Sequence, residues 1–170
     1  MKWILIAVGV LIVSVAAVAV VGAMLPKSHV ASRSSRFKQP PQAVWDVITG
    51  PPGWRPDIRS SEKLAPRDGS RTWKEIDKHG QAITYESVEE SPPHRLVTRI
   101  ADPKLPFGGT WTQEITPDPN GCLVTITEAG EIYNPIFRFM ARFVFGYTGS
   151  IEAYLKALHA KFGEAADGGD

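Results

Sequence analysis

A chain of 170 residues with 19 basic and 18 acidic side chains is sized for one globular domain and a short extra segment. Its formal net charge of +1 provides no basic footprint of the kind nucleic-acid binding requires. The single cysteine, Cys122, excludes an intramolecular disulfide and identifies no redox compartment.

The first segment is WILIAVGVLIVSVAAVAVVGAML, uncharged from Trp3 to Leu25. At about 1.5 Å of rise per residue it reaches across the roughly 30 Å hydrocarbon layer of a bilayer. Residues 1–26 therefore read as a transmembrane anchor. Val21, Gly22 and Ala23 behind Lys2 also suit a cleaved signal peptide, but the apolar run exceeds the usual signal core of about 7–15 residues, which favours an uncleaved anchor. Lys27, Arg33, Arg36 and Lys38 follow the run, pointing to a single-pass protein with its domain on the cytoplasmic side. Lys2 before the run suits the opposite orientation equally well.

HVASRSSRF is polar and extended in character. The next segment, QPPQAVWDVITG, has the marks of a helix: Pro41 near the first turn, apolar Val44, Val47 and Ile48, and Gly50 as a stop. The proline-rich PPGWRPDI leads into alternating runs separated by turn signals from Ser60 onward. Strands this close in sequence form an antiparallel meander most simply.

Turn positions set the expected registers. Closing a hairpin at PDPNG places Ile115 opposite Val124, Gln113 opposite Ile126 and Trp111 opposite Glu128, all facing inward. The outward face collects Thr110, Thr112, Glu114, Thr116, Leu123, Thr125 and Thr127. Around SPPH, Glu86 meets Arg99 and Glu90 meets Arg95 on one side, while Tyr85 meets Ile100 on the other. Around KHGQ, Ile76 pairs with Ile83 and Lys74 with Tyr85, which leaves Trp73 outside unless a bulge turns it inward. Glu128 on the inner face needs a paired cation, water or a ligand, or a strand-end position reaching solvent, because burying an unpaired carboxylate is costly.

NPIFRFMARFVFGYTGSIEAYLKALHAKF, residues 134–162, reads as one long helix, with Asn134 as cap and Pro135 in the first turn. Phe137, Met140, Val144, Tyr147, Ile151, Leu155, Leu158 and Phe162 form one stripe at helical spacing. Phe139 and Phe143 widen it, Phe145 falls nearly opposite, and Gly146 and Gly149 interrupt it. Such surplus aromatics cover a cavity, touch a membrane, or pack under the loop around Trp54.

The order strand, short helix, meander and long C-terminal helix resembles the SRPBCC superfamily, also called START-like or Bet v 1-like. The resemblance is carried by PPQAVWDVITG, GWRPDI, GGTWTQEITPDPNGCLVTITEAGEIYNP and FRFMARFVFGYTGSIEAYLKAL, which look like the members described as polyketide cyclase/dehydrase-like. It implies an α+β helix-grip fold over residues 27–164, a curved antiparallel sheet wrapped around the C-terminal helix; residues 165–170 are expected to form a disordered tail. It further implies a cavity for a hydrophobic small molecule or lipid. Phe139, Phe143 and Tyr147 would form its roof, Trp111, Tyr85, Gln113 and Glu128 its sheet side, and Trp54 its mouth, with Phe145 meeting lipid or another protein.

Chemistry is less legible. His29, His79, His94 and His159 are scattered without metal-ligand spacing, and FGGT precedes a strand rather than a phosphate-binding helix. The expectation is therefore a membrane-anchored binding protein with no cofactor and no metal. The alternative is a cyclase or aromatase-type enzyme using Tyr85, Gln113, Glu128 and Lys74.

Overall fold

The computed structural model describes residues 1–165; apart from Ala165, the expected tail lies outside the described residues. Helix α1 (Lys2–Met24) is followed by β1 (Ser28–Phe37), α2 (Pro41–Thr49), and six strands: β2 (Ile58–Arg67), β3 (Ser70–Asp77), β4 (Ala82–Ser91), β5 (Arg95–Ile100), β6 (Phe107–Asp118) and β7 (Gly121–Ile132). The chain then forms α3 (Pro135–Met140), a π-helical turn (Ala141–Phe145) and α4 (Gly149–Phe162). The strands make one antiparallel sheet in the order β1-β7-β6-β5-β4-β3-β2. The meander stays in sequence order, and β1 returns to close it beside β7.

The sheet curves around α4, whose Ile151, Leu155 and Leu158 are buried against Phe37, Val44, Trp45, Leu96, Ile115, Cys122, Val124 and Ile126. Each fully buried Ile or Leu here contributes about 1.5–3 kcal/mol. Helix α2 begins as the sequence dictates, with Pro41 in its first turn and Gly50 at its end. Its Val44 and Trp45 close one end of this core.

The β6–β7 register is the expected one: Ile115 faces Val124, Gln113 faces Ile126, and Trp111 faces Glu128. On β4–β5, Tyr85 faces Ile100 and Glu86 pairs with Arg99. Glu90 does not meet Arg95, however. A bulge between Ser87 and Glu89 inserts Val88, which points to solvent, and Arg95 bonds Glu89 and Glu114 instead. On β3–β4 the expected register is one residue off: Trp73 faces Tyr85, Lys74 faces Thr84 and Ile76 faces Ala82. The Asp77 carboxylate accepts from the backbone N–H groups of His79 and Gln81, a turn that sets the register. Trp73 is therefore inside, and Lys74, Ile76 and Ile83 do not line the interior.

The C-terminal segment is not one helix. Asn134 caps α3 through Oδ1, accepting from Ile136 N at 2.9 Å and Phe137 N at 3.2 Å. The chain then widens into the π turn and stops at Gly146, whose φ of 74° is a left-handed conformation suited to glycine. Helix α4 restarts at Gly149. It carries the grip, whereas α3 packs against α1.

Candidate functional site: a cavity under the front of the grip

Where α4 begins, the helix and sheet separate and leave a partly open cavity of about 1310 Å³. This exceeds the roughly 300–1000 Å³ of ordinary small-molecule sites, and the walls share their largely apolar character. The sheet contributes Trp73, Tyr85, Ile100 and Trp111; α2 and its loop contribute Ile48 and Trp54. Tyr147 and Tyr154 come from the α4 side.

Polar groups cluster at two places in this wall. At one, Glu128 Oε2 accepts from Trp111 Nε1 at 2.7 Å and from the Ser150 hydroxyl at 3.4 Å, while Oε1 lies 3.2 Å from His29 Nε2. The imidazole stacks on Tyr147, with ring centroids 4.1 Å apart and planes 19° apart. Gly130 provides its space: a Cβ there would fall 2.4 Å from His29 Cε1 and 2.8 Å from Glu128 Oε1. The carboxylate is thus satisfied by an indole, a hydroxyl and a histidine, as a wall-lining charge must be.

At the other place, Arg55 donates to Glu75 at 2.9 Å and to Asp57 at 2.8 Å, and Trp73 Nε1 donates to Glu75 at 3.2 Å. Trp73 stacks on Tyr85, and the Arg55 guanidinium lies 5.5 Å from the Tyr154 ring centroid. Burial works against the Arg55 charge, but Glu75 and Asp57 outweigh it and hold its pKa above the ordinary value. Burial pushes Tyr154 up to about 12 against the opposing pull of Arg55 and Gln113. Burial likewise raises Tyr85. Both phenols are neutral hydrogen-bonding groups at physiological pH.

Six residues singled out in the sequence meet at this cavity: Trp54, Tyr85, Trp111, Gln113, Glu128 and Tyr147. Phe139 and Phe143 do not line it; they pack on one another with ring centroids 4.9 Å apart. Phe145, expected on the far side, does line it. The physical reason is shared. A helical wheel assumes one axis and about 100° per residue, whereas the π turn takes more residues per turn and Gly146 ends that axis before α4.

The family model described as "Polyketide cyclase / dehydrase and lipid transport" matches residues 28–163. The chain belongs to this family. Membership supports a role in hydrophobic-ligand binding or in cyclase-type chemistry, without deciding between them. Among solved structures, a Mesorhizobium loti protein is similar at 14% identity and a TM-score of 0.62, covering 79% of this chain and 97% of its own. The di-domain ARO/CYC StfQ from the steffimycin biosynthetic pathway is similar at 14% identity and 0.62, over 78% of this chain and 50% of StfQ. Norcoclaurine synthase from Thalictrum flavum is similar at 12% and 0.59, over 81% and 87%. At such identities these likenesses establish the fold alone. Comparison with curated proteins gives no match.

Within the family fold, His29, Arg55, Trp73, Glu75 and Tyr154 are wall residues that the sequence reading did not assign. Tyr154 had a signal, since it follows Tyr147 by two helical turns. His29 faces inward because β1 pairs with β7, His29 opposite Gly130. A pairing across about a hundred residues of chain leaves no local trace.

Proposed function

We propose that this protein is a membrane-anchored container for a hydrophobic small molecule or lipid. The observation that carries this reading is the large, mainly apolar cavity beneath the front of α4. An apolar guest would occupy its centre. The Glu128–His29 group and the Arg55–Glu75 group would orient polar ends, with Trp54, Tyr85, Trp111, Gln113 and Tyr147 as contact residues. The anchor would be α1, whose mean hydropathy of 3.1 is sufficient to cross a bilayer, a property shared with signal sequences. Native mass spectrometry of the full chain released from micelles tests the proposal. A bound lipid-sized mass that returns after delipidation and re-exposure is expected. Repeated recovery of empty protein that takes up neither fatty acid nor sterol-like probes would exclude it.

A cyclase-type reading is favoured by one observation, the His29–Glu128 contact in the cavity wall. The imidazole would take a proton from a bound carbonyl compound while the adjacent carboxylate stabilises the resulting cation. Turnover of a poly-β-carbonyl substrate that disappears in Glu128→Gln while binding survives would establish this reading. Binding without turnover in the unaltered protein would leave the container.

A further inference from the structure

We infer that α3 and the π turn lie in the surface of the bilayer that holds α1, and that the cavity exchanges its guest sideways with that bilayer rather than through water. This rests on the container reading and on α1 as a membrane anchor. It adds the source of the ligand: a molecule dissolved among lipid chains.

The first observation is a rigid coupling between the apolar helix and the cavity rim. Arg138 is buried, and its Nη1 donates to the carbonyl of Leu25 at 2.8 Å and reaches that of Ala23 at 3.5 Å. A guanidinium thus satisfies carbonyls left open at the end of α1 and sits at the negative end of its dipole. Beside it the backbones touch: a Cβ on Gly22 would fall 1.9 Å from the carbonyl oxygen of Pro135. At about 1.5 Å per residue, α1 spans the hydrocarbon layer and its last turn lies near the headgroups. A segment clamped to that turn lies at the same depth.

The second observation is what this segment shows to its surroundings. Phe137, Phe143, Val144 and Phe145 are 50%, 59%, 58% and 72% exposed, a concentration of large apolar side chains within nine residues unlike ordinary water-facing surface. Residues 132–151 contain Arg138 and Arg142 and no acidic side chain. Arg138 is turned into the junction with α1, which leaves the exposed Arg142 as the cation beside these rings, and aromatic rings with a nearby cation match the boundary between acyl chains and anionic headgroups.

The third observation connects patch and cavity. Phe137 and Phe145 belong to the exposed patch and also line the cavity, together with Ile136, Met140 and Ala141. An apolar guest passing between acyl chains and cavity at this rim remains beside apolar side chains throughout.

Two measurements on the full chain in nanodiscs of phosphatidylcholine and phosphatidylglycerol test the inference. An environment-sensitive fluorophore on Phe143→Cys is compared with one on Asn120→Cys, at the opposite end of β7; Cys122 is buried and stays unlabelled. Doxyl-labelled lipid is expected to quench the first and spare the second. Equal quenching at both positions, or shielding at 143 without lipid quenching, overturns the membrane-surface assignment, the latter in favour of a protein face. In the second measurement, Phe143→Asp/Val144→Asp is expected to slow uptake of a dansyl fatty acid from the nanodisc about tenfold, since two charges must enter the interface. Uptake of the same probe from cyclodextrin in water stays unchanged. Unaltered uptake from the nanodisc overturns lateral exchange. Failure of the native protein to take up the probe from either source overturns the container reading, and with it the exchange, while the quenching result stands by itself.

Discussion

Trp111 Nε1 donates to Glu128 Oε2 at 2.7 Å, and the two residues stand directly opposite one another on β6 and β7. Register and chemistry coincide at this point, because the strand pairing that builds the sheet also places an indole donor on a wall carboxylate. Glu128→Gln keeps an acceptor for Trp111 but removes the charge facing His29. The expected loss is about 1–3 kcal/mol in urea unfolding, with an unchanged denaturant slope. An unaffected midpoint would show that the carboxylate is held without benefit to the fold.

Gly130 makes the space for the imidazole. In Gly130→Ala the new methyl would lie 2.6 Å from His29 Nε2, so the ring must leave its stack on Tyr147. A destabilisation of about 1–3 kcal/mol is expected, together with a changed chemical shift of the His29 ring protons as the ring leaves the Tyr147 face. Unaltered ring-proton shifts would contradict the observed packing.

Arg138→Gln removes the charged cap from the end of α1. Carbonyls of Ala23 and Leu25 would lose their guanidinium donor, at a cost of about 1–3 kcal/mol confined to this junction. Faster amide exchange in α3 and faster proteolysis at Lys27 are expected, with α4 protection unchanged. Uniformly accelerated exchange would instead mean that the junction supports the whole domain.

Tyr154 makes alkaline stability predictable. Its pKa rises from 10.0 in the unfolded chain to about 12 in the folded one. Its contribution is therefore fully present below pH 10 and is lost as pH climbs through 12. The difference corresponds to a loss of about 2–3 kcal/mol. Thermal unfolding between pH 9 and about 12 should fall less steeply in Tyr154→Phe than in the native protein; parallel curves would assign the alkaline transition to other groups.

The legible parts of the fold are those governed by local chemistry. Pro41, Gly50, Asn134 and Pro135 mark helix ends where the structure has them, and the PDPNG turn fixes β6–β7 so firmly that Trp111, Gln113 and Glu128 could be placed inside. At β3–β4 the Asp77 side chain reorganises the turn, and alternation along a strand cannot reveal a one-residue slip. Phe145 was misplaced because a helical wheel presumes the continuous axis that Gly146 breaks. His29 escaped because its place depends on a strand partner near the other end of the chain.

The left-handed bend at Gly146 divides labour along the C-terminal segment. Behind it, Ile151, Leu155 and Leu158 of α4 are committed to the packed interior; ahead of it, residues 135–145 answer mainly to whatever lies outside. The two stretches are accordingly modular: the forward one can be resculpted for a bulkier or slimmer cargo while the rearward one continues to hold the domain together.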